Sequence, residues 1–323
     1  MRAMMAIMVP VLFAVLHPGT AAHSDAGQPE KATLQGRITL SGAWALYPMA
    51  VRWAEEFQKT HPGVKFDIGA GGAGKGMADC LAGVVDIGMV SREIYAEEVK
   101  KGAWWVSVTK DAVVPTVNAD NPARELLLKK GVTREDLIRV YITGEIKAWG
   151  EVTGGAISSP VQVYTRSDAC GAAQTWAEYL GGKQEDLLGV GVYGDPGLAE
   201  AVRQDRNGTG YNNINYAYDA KTRKQVAGIA ILPIDLNADR VITEDEDFYL
   251  YRDDITGAIA DGRYPSPPAR DLHFVCRGRP EKEAVTEFIK WVLTDGQQYV
   301  PESGYIKLTD EKLKAELGHL QGQ

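Results

Sequence analysis

The chain has 323 residues, of which 45% are hydrophobic and 24% charged, and its formal net charge is −8. This is an ordinary globular composition, long enough for one large or two medium-sized domains. The acidic balance, without any basic block, excludes a typical nucleic-acid-binding protein, although a local positive site can still operate inside an acidic protein.

The N-terminus predicts export. Met1-Arg2 supplies a short positive start, residues 3–16 are apolar apart from one proline, and Thr20-Ala21-Ala22 fits a small-residue cleavage site. The apolar run is too short for a stable transmembrane anchor. We therefore expect a signal peptide over 1–22, a flexible polar segment over 23–34, and a mature protein in the periplasm.

The next part of the chain alternates strand and helix patterns. The predicted order is a strand at 35–40, a helix at 47–61, a strand at 64–68, a helix at 77–83 and a strand at 84–90. A β-α-β-α-β order predicts a parallel sheet, with ligand-binding loops at the carboxyl ends of its strands.

A glycine-rich loop, GAGGAGKG, covers residues 69–76. Its Gly69-x-Gly71-x-x-Gly74 spacing formally matches a dinucleotide-binding fingerprint. However, it follows the second strand rather than the first, and no acidic residue ends a strand at the expected distance. We favour the other use of such a loop, which is close approach of the backbone to a small anion.

The remaining elements are predicted mainly from apolar runs and turn residues. They are a strand at 113–117, a helix at 133–140, a turn-rich connector at 141–152, a glycine turn at 207–211, a strand at 226–232, a proline-rich crossover at 264–268, a strand at 272–276 and a helix at 281–293.

The stretch VQVYTRSDACGAAQTW begins at residue 161 and predicts an anion site. Residues 161–165 alternate as in a short strand, and a helix is expected over 172–180 after the N-cap types Ser167-Asp168. Arg166 lies at the junction, so a cation is placed beside free backbone N–H groups at a helix start. The alternative is an ordinary strand-to-helix turn with a surface arginine.

The three cysteines are Cys80, Cys170 and Cys276, and an odd number leaves at least one thiol free. Their spacing resembles no zinc site. We expect Cys80 and Cys276 to be core residues. Cys170 lies beside Arg166 at the predicted helix start, where both features would favour its thiolate. We favour the alternative, which is that Cys170 is a small apolar replacement.

The segment DLNADRVITEDE, residues 235–246, follows the pattern of a twelve-residue calcium loop. The expected metal ligands are Asp235, Asn237, Asp239, the carbonyl of Val241 and Glu246. Arg240 replaces the glycine that usually permits the sharp turn at position six. A solvated acidic loop is the alternative, but the ligand spacing favours a structural Ca²⁺ that rigidifies this part of the chain.

Several motifs, taken together and in order, resemble the phosphate-binding proteins of bacterial ABC transporters, within the type II periplasmic binding proteins. The similarity extends over nearly the whole mature chain. Its motifs are residues 41–48, 53–57, 71–76, 85–88, 91–92, 141–152, 166–168, 262–265 and 296–305.

This resemblance implies an α/β fold of two lobes joined by two crossover segments, with the ligand in the cleft. Lobe one would be 35–116 with 267–323, and lobe two 117–266. The implied activity is capture and handover rather than catalysis. The implied partners are a small inorganic anion and the permease of an ABC transporter, with no cofactor for this function, no nucleic acid, and a monomeric protein.

The resemblance also implies a set of ligand-binding residues, some of which depart from the family pattern. The positions are Trp44, Ala45, Ala73, Gly74, Ser91, Arg166, Cys170, Gly171 and Ala172. Hydroxyls usually line the cleft in this family, and each lost hydrogen bond to a charged group costs roughly 1.5–3 kcal/mol. A different oxyanion or a thiophilic metalloid bound through Cys170 therefore stays open as an alternative. An exported hydrolase is a third hypothesis, although the sequence shows no nucleophile–base pair.

Overall fold

The computed structural model describes residues 34–155 and 157–322. The predicted signal peptide, and the flexible segment up to residue 33, lie outside the described residues. Within the described ranges, none of the helices has both the length and the apolar character needed to span a bilayer.

The strands and helices alternate along most of the chain. The strands are β1 (Gly36–Gly42), β2 (Val64–Ala70), β3 (Ile87–Val90), β4 (Ala103–Asn118), β5 (Gln162–Arg166), β6 (Val190–Val192), β7 (Gly208–Asn213), β8 (Ile229–Ile231) and β9 (Ala269–Arg277). The helices are α1 (Tyr47–Thr60), α2 (Ala73–Leu81), α3 (Ala96–Lys100), α4 (Arg124–Lys130), α5 (Arg134–Tyr141), α6 (Gly150–Thr153), α7 (Gly171–Leu180), α8 (Gly194–Gln204), α9 (Ile214–Ala217), α10 (Arg252–Ala260), α11 (Glu283–Leu293) and α12 (Asp310–Gln321).

The strands form one curled sheet in the order β2-β1-β3-β9-β4-β7-β5-β6, with β8 beside β4. Strand β1 pairs in parallel with β2 and β3, which confirms the predicted β-α-β-α-β unit. Strands β9 and β4 lie in the middle, antiparallel to each other and to their neighbours. The loops that follow β1, β2 and β3 therefore leave the same edge of the first half of the sheet.

Two separate hydrophobic cores make two lobes, and β4 and β9 pass from one core to the other. Along β4, Val108 belongs to the first core and Ala112 to the second; along β9, Ala269 belongs to the second and Leu272 to the first. The register of the β4–β9 pair shifts between Ser107 and Thr109 at this changeover. Two α/β lobes joined by two crossing segments confirm the predicted fold class.

Several element predictions were wrong in instructive ways. The predicted glycine turn at 207–211 is the buried strand β7, whose polar side chains find partners inside: the Thr209 hydroxyl donates to the Thr116 carbonyl at 2.9 Å. The 264–268 crossover is not the crossing segment, because Tyr264 is packed in the second core and β9 itself crosses. Helix α2 begins at Ala73, inside the predicted glycine loop.

Candidate functional site

Arg166 ends β5, and its side chain is fully buried between two carboxylates. Its Nε and Nη2 donate to the two oxygens of Asp168, at 2.8 and 2.6 Å, and its Nη1 donates to Asp195. Burial acts to lower the pKa of Arg166, but Asp195 and Asp168 outweigh it and raise that pKa. A guanidinium has five N–H groups. Three of those of Arg166 donate to the two carboxylates, so two remain for another acceptor.

Helix α7 begins five residues after this arginine, and its N-cap is Cys170 rather than the predicted Ser167-Asp168. The Cys170 thiol accepts a hydrogen bond from the backbone N–H of Ala173 at 3.4 Å. Burial raises the pKa of Cys170 to about 12, although the charge of Arg166 lowers it. This environment favours the alternative of a small apolar replacement over a thiolate, because Cys170 is a buried residue that caps α7.

The glycine loop of the first lobe reaches across to the backbone of the second. The Gly74 N–H donates to the carbonyl of Ala169 at 3.0 Å. A Cβ at Gly72, whose φ is +91°, would lie 2.8 Å from the same oxygen and 2.9 Å from Asp168 Oδ2. Close backbone approach is thus what these glycines permit, and it places the loop beside the carboxylate that holds Arg166.

Ser91 and Trp44 also bring the first lobe onto the second. Ser91 follows β3 and is buried, and a Cβ at Gly171 would collide with both its hydroxyl and its carbonyl oxygen. Trp44 follows β1 and meets Tyr193 edge to face, with ring centroids 6.1 Å apart. The hydroxyl of Tyr216 donates to the Trp44 carbonyl at 3.1 Å. The structure thus brings together Trp44, Gly74, Ser91, Arg166 and Gly171.

Three predicted alanines are placed differently. Ala45 and Ala73 pack in the first core, and Ala172 packs in the second. The carbonyl of Ala45 already accepts a hydrogen bond from the hydroxyl of Tyr305 at 2.7 Å. A methyl group forms no hydrogen bond, so these positions can offer a ligand only backbone groups.

Sequence reasoning missed a buried polar network behind Arg166. Asp195, at the start of α8, accepts from the Asn213 side-chain amide at 2.8 Å and from its backbone N–H at 3.3 Å. Arg270 on β9 donates through Nη2 to the side-chain Oδ1 of Asn213 and, through Nε, to the backbone carbonyl of Ser91 at 3.2 Å. The sequence signal was the charged pair Arg270-Asp271 directly before the apolar run predicted as a strand at 272–276.

Two of the predicted calcium ligands accept hydrogen bonds from the backbone of their own loop. Asp235 accepts from the backbone N–H of Arg240 at 2.9 Å, and Glu246 accepts from that of Leu236 at 3.0 Å. Arg240 has a φ of +65°, the left-handed conformation usual for glycine there, and its guanidinium pairs with Asp136. Over residues 34–155 and 157–322, no group of three or more acidic, histidine or cysteine side chains is arranged to hold a metal. Calcium binding stays a prediction.

The chain is similar over its whole length to curated phosphate-binding proteins. It is 27% identical to the phosphate-binding protein PstS of Pseudomonas aeruginosa over 345 residues, which covers 98% of this chain and 99% of the relative. It is 25% identical to PstS of Bacillus subtilis over 295 residues, or 90% of this chain and 87% of the relative.

Solved structures share the fold. A putative phosphate ABC transporter substrate-binding protein from Clostridium perfringens, with bound phosphate, aligns with a TM-score of 0.69 and 23% identity, covering 85% of this chain and 100% of that one. A phosphate transport receptor from Vibrio cholerae aligns with a TM-score of 0.61 and 20% identity, covering 84% and 100%. The family model described as a PBP superfamily domain matches residues 27–296. The chain therefore belongs to the PBP superfamily.

Proposed function

We propose that this chain is a periplasmic solute-binding protein that captures phosphate, or a related inorganic oxyanion, and delivers it to the permease of an ABC transporter. The observation that carries the proposal is the position of Arg166, a rigidly held cation beside the start of α7, in the cleft between two lobes. In this role the chain acts as a binding protein and not as an enzyme, and it works as a monomer.

The start of α7 supplies further donors for an anion. The backbone N–H groups of Gly171 and Ala172 occupy the first turn, where a helix offers no intrahelical acceptor. The partial positive charge of the helix N-terminus adds to that of Arg166. These donors are backbone and guanidinium groups, so they remain although the hydroxyl side chains expected at the neighbouring positions are absent.

The contacts between the lobes support capture by closure. Gly74 bonds to Ala169, and Tyr216 bonds to Trp44, across the cleft. The lobes are connected by the adjacent strands β4 and β9, so bending of these strands would separate the contacts without disturbing either core. An anion that bonds to both lobes would stabilise the closed arrangement.

The relatives favour phosphate over the alternatives. The curated relatives are named phosphate-binding proteins, and the C. perfringens structure contains bound phosphate. Binding of a thiophilic metalloid through Cys170 is disfavoured, because burial raises the pKa of this thiol and so opposes the thiolate.

Titration calorimetry of the mature protein, freed of bound anion by unfolding and refolding, tests the proposal. We expect one-site binding of phosphate, weaker binding of sulfate, and loss of binding in Arg166→Ala, because buried Asp168 and Asp195 would then repel an anion. The exposed Arg263→Ala is the matched control and should bind as the wild type does. Absence of wild-type binding to phosphate, arsenate and sulfate alike would refute the proposal.

A further inference from the structure

A second buried guanidinium lies near the cleft and is less completely satisfied than Arg166. Arg270 is 9% exposed, with Nε bonded to the Ser91 carbonyl and Nη2 bonded to Asn213. Its Nη1 is buried and has no hydrogen-bond partner in the part of the chain that the structure describes. A buried N–H on a charged group is costly to leave without an acceptor. By contrast, all three nitrogens of Arg166 bond to carboxylates.

The charge of Arg270 is also less neutralised. Its Nη2 lies 3.9 Å from Asp111 Oδ2, too far for a hydrogen bond. Burial raises the pKa of Asp111 to about 7, against the opposing charge of Arg270. Carboxylates therefore offset the positive charge of Arg270 less than that of Arg166, which has two carboxylates within bonding distance.

Arg270 is linked to both parts of the anion site. The Ser91 carbonyl that accepts its Nε–H lies against Gly171, the first residue of α7. Asn213, its other partner, shares the carboxylate of Asp195 with Arg166.

We propose that Arg270 is a second oxyanion-binding residue, which contacts the anion from the crossing strand β9 while Arg166 and α7 hold it from the second lobe. The inference rests on the proposed function and adds to it a residue and a ligand class. A second guanidinium offers the donors that the missing hydroxyls would have supplied. Two cations also favour a doubly charged tetrahedral oxyanion over a singly charged one.

The test compares Arg270→Gln, Arg270→Lys, Asp111→Asn and the double variant Asp111→Asn/Arg270→Gln. Calorimetry at pH 8 measures the Kd for phosphate and for sulfate, and thermal unfolding without anion measures stability. The exposed Arg277→Gln, on the same strand, is the control and should keep the wild-type Kd. The double variant leaves no unpaired carboxylate, so it remains informative if Arg270→Gln alone fails to fold.

We expect the double variant to bind phosphate about 10- to 100-fold more weakly than Asp111→Asn, with Arg270→Lys in between. An arginine that only balances Asp111 would give the opposite result: removing both partners would restore the wild-type Kd, which would overturn the inference. If the wild type binds no oxyanion, the proposed function fails instead. Binding in the wild type together with unchanged binding in the double variant removes only the role of Arg270.

Discussion

Asp111 offers a direct test of the buried charges at the lobe junction. It lies on β4, is completely buried, and burial raises its pKa from the ordinary 3.8 to about 7 although Arg270 opposes the shift. A carboxyl whose pKa is raised by folding contributes stability that is fully present below its unfolded pKa. That contribution is lost as the pH rises through the folded pKa. The wild type should therefore lose stability between about pH 4 and pH 7 because of this residue.

Asp111→Asn removes the titrating proton while it preserves the shape of the side chain. One pKa unit corresponds to about 1.4 kcal/mol, so a change from 3.8 to about 7 is worth on the order of 4 kcal/mol across the whole range. Between pH 5 and pH 8 the asparagine variant should gain about 2.5 kcal/mol in its free energy of unfolding relative to the wild type. The effect of other titrating groups cancels in this difference.

Urea unfolding at pH 5, 6, 7 and 8, in buffers free of phosphate and sulfate, measures the difference. Asp120→Asn is the control, because Asp120 is an exposed carboxylate at the end of the same strand; its difference from the wild type should stay constant. A constant difference for Asp111→Asn as well would show that Asp111 is ionised throughout. In that case Arg270 would be fully paired, and the argument for its residual charge would be refuted.

Three further predictions concern the cleft and the acidic loop. Trp44→Phe keeps an aromatic side chain, although a smaller one, and removes a buried Nε1–H that has no acceptor among the described residues; it should weaken phosphate binding about tenfold by calorimetry if that donor meets the anion. Gly74→Ala places a methyl 2.8 Å from Ala169 Cβ across the cleft and should weaken binding without lowering Tm, whereas Gly69→Ala, with open space around it, should change neither. Calcium should raise Tm relative to chelator in the wild type but not in Asp235→Asn; equal melting curves with and without calcium would refute the loop as a metal site.

The local part of the proposed anion site could be predicted from the sequence because it depends on neighbouring residues. Arg166 at the end of a strand and a helix starting five residues later are set by strand alternation and helix propensity. The predicted N-cap of α7 was wrong because serine and aspartate, at 167 and 168, are residue types that cap helices more often than cysteine does. Asp168 instead bonds to Arg166, which is a competing use of the same carboxylate.

The remaining part could not be predicted because tertiary contacts create it. Asp195, Asn213 and Arg270 lie on α8, β7 and β9. Only the fold brings Asp195 to Arg166, Asn213 to Asp195 and Arg270 to Asn213. Asparagine and glycine also favour turns, so the stretch containing β7 was predicted partly as a turn. Its polar groups are tolerated in a buried strand because each finds a buried hydrogen-bond partner.

The placement of Arg270 ties anion binding to the motion of the lobes. Asp111 and Arg270 pair in register on β4 and β9, just where the two cores change over. An anion held by Arg166 alone would contact only the second lobe. An anion that also bonds to Arg270 fixes a crossing strand relative to α7, and Arg270 in turn holds the carbonyl of Ser91 at the end of β3. Charge recognition and closure would then depend on the same guanidinium, so substitution of Arg270 should speed release of the anion as well as weaken its capture.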